Sequence, residues 1–314
     1  MVSFKRSATE PPVPASTPKV VTDEDPRLIT PAFTLDDLTL PAVTKGALQD
    51  FLAHRQHEDL IFNQWGLATT HKRQRQTAIN LYGLPGTGKT MAAHAVAHAL
   101  GKQLVIVNYA ELESKYVGET SKNITKLFEQ ARQHGAIILF DEADAVLSRR
   151  VTDMSSATDV SVNQTRSVLL TLMNDYDGLI IFTTNFIENY DPAFMRRILS
   201  HINFILPDQA CRIVLWKQYI PTNLPHSVDM EELASISDGL SGSDISNCVM
   251  KAALQAARRG EQEIDFAIFQ SAINEVIASK SANARKQTVI TTREANEQTT
   301  KRLSQKNDIK ETES

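Results

Sequence analysis

The eight residues GLPGTGKT, Gly83 to Thr90, have types and spacing suited to holding a chain of phosphates. They fit G-x-x-x-x-G-K-[ST], in which glycines let the backbone curl until successive N–H groups point at phosphate oxygens. Gly83, Leu84, Pro85, Gly86, Thr87 and Gly88 would form that cradle, with Met91 just beyond it. Lys89 would reach the β- and γ-phosphates, and Thr90 would offer its hydroxyl to Mg²⁺. Further along, IILFDEAD brings Asp141 and Glu142 out of an apolar run. Asp141 suits the oxygen shell of a hard cation, and Glu142 suits a base that orients and polarises an attacking water. TTN puts Asn185 at the end of another such run, within reach of a terminal phosphate or the water. DPAFMRRI supplies adjacent Arg196 and Arg197, able to neutralise charge on a transferring phosphoryl group, including from a neighbouring subunit. Taken singly, these last three are a solvated strand end, a turn residue and a surface pair. They gain weight from occurring together.

Such groups need a scaffold that delivers them to one edge. Five β-rich runs are present: TAINLYG (77–83), QLVIVNYA (103–110), AIILFDEA (136–143), GLIIFTTN (178–185) and HINFIL (201–206). Several are almost continuously apolar, as strands buried on both faces are. Helix-like KTMAAHAVAHAL, SKNITKLFEQARQHG and VNQTRSVLLTLMNDYDG lie between them. The alternation predicts an α/β fold, an αβα sandwich on a five-stranded parallel sheet, whose ligands bind at the carboxyl ends of the strands. After Pro207 the pattern is helical only, so a small all-helical lid domain is expected over 207–281, after a large domain over 31–206. Ser241 and Ser243 are candidate caps and Gly260 a candidate stop. Residues 1–30 and 282–314 read as polar flexible tails.

Composition narrows the function. The 314 residues carry 33 basic and 37 acidic side chains, a net charge of −4, which argues against a protein held on nucleic acid by a large positive field. Two cysteines, Cys211 and Cys248, are too few for a disulfide framework or a four-cysteine zinc site. There is no membrane-length apolar run and no signal-peptide core, so a cytoplasmic location is expected. His94 and His98 in HAVAH have i, i+4 spacing but lack the glutamate of a zinc-protease motif, and read as helix-surface residues. LFDEAD also spells a helicase motif, without the other features of that class.

One stretch resists this account: ESKYVGETS, 113–121, holds an aromatic, a valine and a glycine among charged and hydroxyl side chains. Together with GLPGTGKT, LFDEAD, TTN, DPAFMRR and DGLSGSDIS, in that family's order, it resembles the AAA+ ATPases, in the clade typified by katanin, spastin and FtsH. The resemblance implies a Mg²⁺-dependent ATPase forming a hexameric ring. It makes Asp141 and Glu142 the Walker B-type pair, Asn185 a sensor, and Arg196 with Arg197 the fingers acting across subunits. It also implies that Gly242, Ser243 and Asp244 open a lid helix beside the adenine, and that FTLDDLTLP brings Leu38 to the base. Lys115, Tyr116, Val117 and Gly118 would be a channel loop gripping a protein substrate, with a second loop over 149–160. The family usually separates its finger arginines with Pro-Gly, and Ser-Gly-Ser-Asp stands here for Ser-Gly-Ala-Asp. The implied activity is protein remodelling or unfolding. The overall look resembles stand-alone bacterial members, and by analogy a HORMA-domain client in antiphage signalling, though the eukaryotic HORMA remodellers carry a tryptophan loop and a lid arginine in place of Tyr116 and Ser243. Assembly with contractile injection machinery is another role by analogy, and a nucleotide-dependent scaffold or DNA-associated loader is the alternative.

Overall fold

Strands that are apolar along their whole length need cover on both faces, and here they obtain it. The computed structural model describes residues 28–70, 78–108, 120–148, 157–185 and 190–282. Strands β1 (Leu28–Ile29), β2 (Ala78–Gly83), β3 (Leu104–Asn108), β4 (Ile137–Asp141), β5 (Ile180–Thr184) and β6 (Ile198–Phe204) form one sheet in the order β1-β3-β4-β5-β2-β6. Pairings from β3 to β6 are all parallel. The sheet therefore has one strand more than the five expected. The extra one, β1, is a two-residue edge strand antiparallel to β3, too short to show any period, and it falls in the segment read as a tail. Strand β6 begins at Ile198 rather than 201, because as an edge strand its polar Ser200 and His201 are only half-buried and mask the run.

On one face, Ile138, Phe140, Ile180 and Phe182 pack against Ile124, Phe128, Leu169 and Met173 of helices Thr120–His134 and Ala157–Asp175. Rings of Phe140 and Phe182 stack at 5.2 Å and 22°. The other face carries Ile79, Leu81, Leu139 and Ile181 beneath helices Ala42–Gln56 and Lys89–Ala99. The small side chains Ala92 and Ala93 let the second of these lie close to the sheet. One consequence matters for function: β5 runs between β4 and β2, so the carboxyl ends after Asp141, Thr184 and Gly83 are neighbours.

Beyond Pro207, helices Gln209–Tyr219, Met230–Ile236, Gly242–Arg259 and 266–282 enclose a separate core around Trp216 and Phe269, edge-to-face at 5.8 Å. Buried Arg212 fastens its start, donating to Ala234 O at 2.9 Å, Pro207 O at 3.0 Å and the Asp238 carboxylate at 2.8 Å. Ser241, not Ser243, caps Gly242–Arg259 in a capping box with Asp244, and Gly260 stops it at φ 72°. Cys248 is buried and Cys211 only half so.

His94 corrects a sequence expectation. It is buried rather than on the helix surface, and its Nδ1 accepts from Ala32 N at 3.2 Å. Phe33 meets its ring edge-on at 5.8 Å. Burial pulls its pKa below the usual 6.5, favouring the neutral ring that this acceptor role needs. His98 is exposed, as expected. Among the described residues no helix is long and apolar enough to cross a membrane.

The stacked pair yields a stability test. Phe140→Ala should destabilise the protein by about 3–5 kcal/mol, read from urea unfolding. A loss below about 1 kcal/mol would contradict the packing described.

Candidate nucleotide-binding site

Gly83 closes β2 at φ 145°, and a Cβ there would lie 2.2 Å from Phe204 O of the adjacent strand. No other residue fits that approach. The loop then turns through Gly86 and Gly88, at φ 75° and 96°, into helix Lys89–Ala99. Thr87 donates to Leu84 O at 2.8 Å, fixing the curl. The loop is thus a set of backbone N–H groups at a helix N-terminus, an arrangement that attracts anions.

Lys89 is buried and its ammonium sits inside this curl. It donates to Gly83 O at 2.8 Å, Leu84 O at 3.0 Å and Asn185 Oδ1 at 3.0 Å. Burial draws its pKa below 10.5, while Asp144, Asp141 and Glu142 pull the other way. Asn185 is itself placed from behind, its N–H donating to Asp144 Oδ1 at 3.1 Å and Oδ2 at 3.2 Å. Asp141 accepts from Thr90 Oγ1 at 3.0 Å and also from Thr183 Oγ1. The Thr183 hydroxyl in turn accepts from Glu142 N at 3.1 Å, and Glu142 is exposed in the left-handed region at φ 53°. Outside glycine, that conformation costs about 1–3 kcal/mol and is found where function holds it.

Two crevices share this loop. The phosphate-side one is lined by Pro85, Lys89, Thr90, Asp141, Glu142, Asn185 and Ser243. The other is more apolar, with Leu38, Thr87, Gly88, Met91 and Gly242 from the expected set, and Phe33 and Gln218 besides. Gly86, Gly88 and Met91 line both, as does Tyr219. The hydroxyl of Thr90 and the carboxylate of Asp141 lie side by side as hard oxygens, and they fit Mg²⁺. That ion binds through one or two protein oxygens plus phosphates and water rather than an all-protein cage. Among the described residues no group of three or more His, Cys, Asp or Glu could hold a metal.

The lid closes on the loop. Ser243 N donates to Gly86 O at 3.3 Å, and a Cβ on Gly86 would come within 2.7 Å of Ser241 Oγ.

Residues 79–206 match the model of the ATPase family associated with various cellular activities (AAA), and residues 227–271 match the AAA+ lid domain. The chain carries an AAA ATPase domain followed by an AAA+ lid domain. Its curated relatives include the proteasome-activating nucleotidase of Methanopyrus kandleri, 36% identical over 208 residues, covering 64% of this chain and 48% of that one. The 26S proteasome subunit RPT4 of Saccharomyces cerevisiae is 34% identical, covering 64% and 47%. The chain thus spans about half the length of these relatives. The crystal structure of the FIGL-1 AAA domain superposes with a TM-score of 0.64, at 22% identity, over 82% of this chain and 91% of that one, a likeness of fold. An AAA ATPase domain implies ATP and Mg²⁺ as cofactors, the groups that the loop and the Thr90–Asp141 pair suit.

In this AAA chain the two arginines part company. Arg197 is tied within its own subunit, Nε to Asn174 Oδ1 at 2.8 Å and NH1 to Ala193 O at 2.7 Å. Arg196 is exposed, and neither residue lines the crevices. Lys115, Tyr116, Val117 and Gly118 lie outside the described residues, as do 149–156 of the second loop, whose remainder belongs to helix Ala157–Asp175. Sequence reasoning missed Gln218 and Tyr219, which carry no motif, and Phe33, which opens the FTLDDLTLP segment. It also passed over Thr183 and Asp144, which stand inside TTN and LFDEAD.

Asp244 supplies a pH test. Burial alone would raise its pKa, but Lys280, at 2.6 Å, and Ser241 outweigh that and hold it below 3.8. A depressed carboxylate stabilises the fold above its unfolded pKa and loses that contribution as pH falls through the folded value. Asp244→Asn should therefore cost about 1 kcal/mol at neutral pH, with the gap from wild type shrinking below pH 3.8. A gap unchanged down to acid unfolding would contradict this.

Proposed function

We propose that the chain is an ATP-hydrolysing protein remodeller or unfoldase that works as a ring, each nucleotide site being completed by the next subunit. The observation that carries this is the convergence of Lys89, Asn185, Thr90 and Asp141 at three adjacent strand ends, with Glu142 beside them. Lys89 and the loop N–H groups hold the phosphates, while Thr90 and Asp141 hold Mg²⁺. Bound Mg²⁺ supplies neutralisation of phosphate charge. Glu142 orients and polarises the attacking water, and Asn185 hydrogen-bonds beside it. The base lies in the apolar crevice by Leu38, Gly242 and Tyr219. Arg196, exposed just after the short helix Pro192–Met195, is the principal finger, reaching the neighbour's site.

A protein client is supported by the relatives, which are named as a proteasome-activating nucleotidase and a 26S proteasome subunit, and by the sequence ESKYVGETS. Tyr116 and Val117 would grip an extended chain, and Gly118 would let the loop bend. The client is proposed as a polypeptide and no more narrowly; neither relative named above points to a HORMA-domain protein. A hexamer is the expected ring.

Glu142→Gln should bind ATP yet lose at least about a hundredfold in kcat, as removal of a general base does. Arg196→Ala should also be inactive. Mixing the two should restore turnover, because an intact Glu142 then faces an intact Arg196 at some interfaces. No recovery in co-assembled mixtures would contradict the shared site.

A further inference from the structure

Strand β2 reads AINLYG, and its Asn80 is completely buried on the face that also carries Ala78 and Phe182. An amide in that setting needs partners. Its Oδ1 accepts from Thr184 Oγ1 at 3.2 Å, but its Nδ2 has no partner among the described residues. Tyr190, 6% exposed, is in the same condition, since its hydroxyl is buried with no partner. That hydroxyl lies against Thr184 and Asn80 yet makes a bond of good geometry to neither; proximity and orientation disagree, and orientation decides. Burial pushes the phenol up to about 12, so it is a neutral donor.

The positions of these three residues are telling. Asn80 stands three residues before Gly83 and the phosphate loop, and Thr184 immediately precedes Asn185. Tyr190 immediately precedes Asp191, which caps the short helix Pro192–Met195 leading to Arg196. The backbone of that turn is already pinned, through the Ser148–Tyr190 bridge and Asp191 N to Leu147 O at 2.9 Å. Only the hydroxyl end of Tyr190 is left to be fixed.

We propose that Asn80, Thr184 and Tyr190 are positioning residues that close into a three-membered cycle, coupling the Asn185 end of β5 to the Arg196 turn. Thr184 donates to Asn80 Oδ1, Asn80 Nδ2 donates to the Tyr190 oxygen, and Tyr190 donates to Thr184 Oγ1. Each polar group is then satisfied, and the phosphate-facing amide and the outgoing arginine move as one unit. The tie rests on the shared-site reading above. A purely structural role makes a different forecast: activity would then fall with stability, whereas the Tyr190 hydroxyl, which makes no bond of good geometry in this state, can be removed at little cost to the fold.

The test compares wild type with Tyr190→Phe, Asn80→Leu and the double variant in the full chain, by steady-state ATPase kinetics and thermal melting. The tie predicts a kcat lowered at least about tenfold, a KM for ATP within about twofold, and a melting temperature unchanged or raised. It also predicts a double variant no worse than either single one. Tyr190→Phe removes a single oxygen, so it decides the matter if Asn80→Leu fails to fold. Placed only in the Glu142→Gln subunit, which donates just its arginine to a mixed assembly with Arg196→Ala, it should lower the recovered activity about as much. A folded Tyr190→Phe with kcat within twofold of wild type overturns the tie, as does a fall in kcat matched by a fall in melting temperature. A wild type without turnover, or mixtures without recovery, overturns the shared-site reading itself and the tie with it.

Discussion

A buried ammonium is the constraint around which the rest is arranged. Lys89 is 8% exposed, and taking a charge that far out of water costs several kcal/mol unless hydrogen-bond acceptors and counter-charges replace the solvent. Two loop carbonyls, the Asn185 amide and three nearby carboxylates do so. Each belongs to a different strand end, which is why strand order matters: β5 lies between β2 and β4, and any other order would leave Asn185 or Asp141 out of reach. The strain at Glu142 follows from the same crowding, since its N–H is drawn to Thr183 while Thr183 also serves Asp141.

The second unit is bound to this centre by backbone. Gly86 has no room for a side chain because Ser241 and Ser243 fill it, and Ser243 N bonds to Gly86 O. Across the apolar crevice Thr39 donates to Gln218 Oε1 at 3.1 Å, and Tyr219 lines both crevices. Walls from both units therefore meet at one place, and a shift of the lid alters the phosphate loop directly. His94 steadies the opposite wall by holding Ala32 and Phe33.

Much of this was legible in the sequence because the decisive residues sit in backbone-dictated motifs. GLPGTGKT announces its own turn and helix, and LFDEAD announces a buried strand with acids at its exit. What escaped lacks such a local rule. Strand β1 has two residues and no period. His94 looks like one face of an alanine-rich helix, and only the fold reveals that residues 32 and 33 cover it. Tyr219 and Gln218 come from a helix whose apolar spacing reports its own core. The inequality of Arg196 and Arg197 depends on Asn174, on another helix entirely. Asn80 is a polar residue in an apolar strand, but its bonded partner Thr184 and the neighbouring Tyr190 are 104 and 110 positions away along the chain.

The most direct measurement is a structure of the assembly with Mg²⁺ and a slowly hydrolysed ATP analogue. The account predicts Lys89 Nζ within about 3.2 Å of β- and γ-phosphate oxygens, the ion beside Thr90 and Asp141, and Arg196 of the next subunit facing the γ-phosphate. Triphosphate bound away from the Gly83–Thr90 loop, or sites built from one subunit alone, would contradict it.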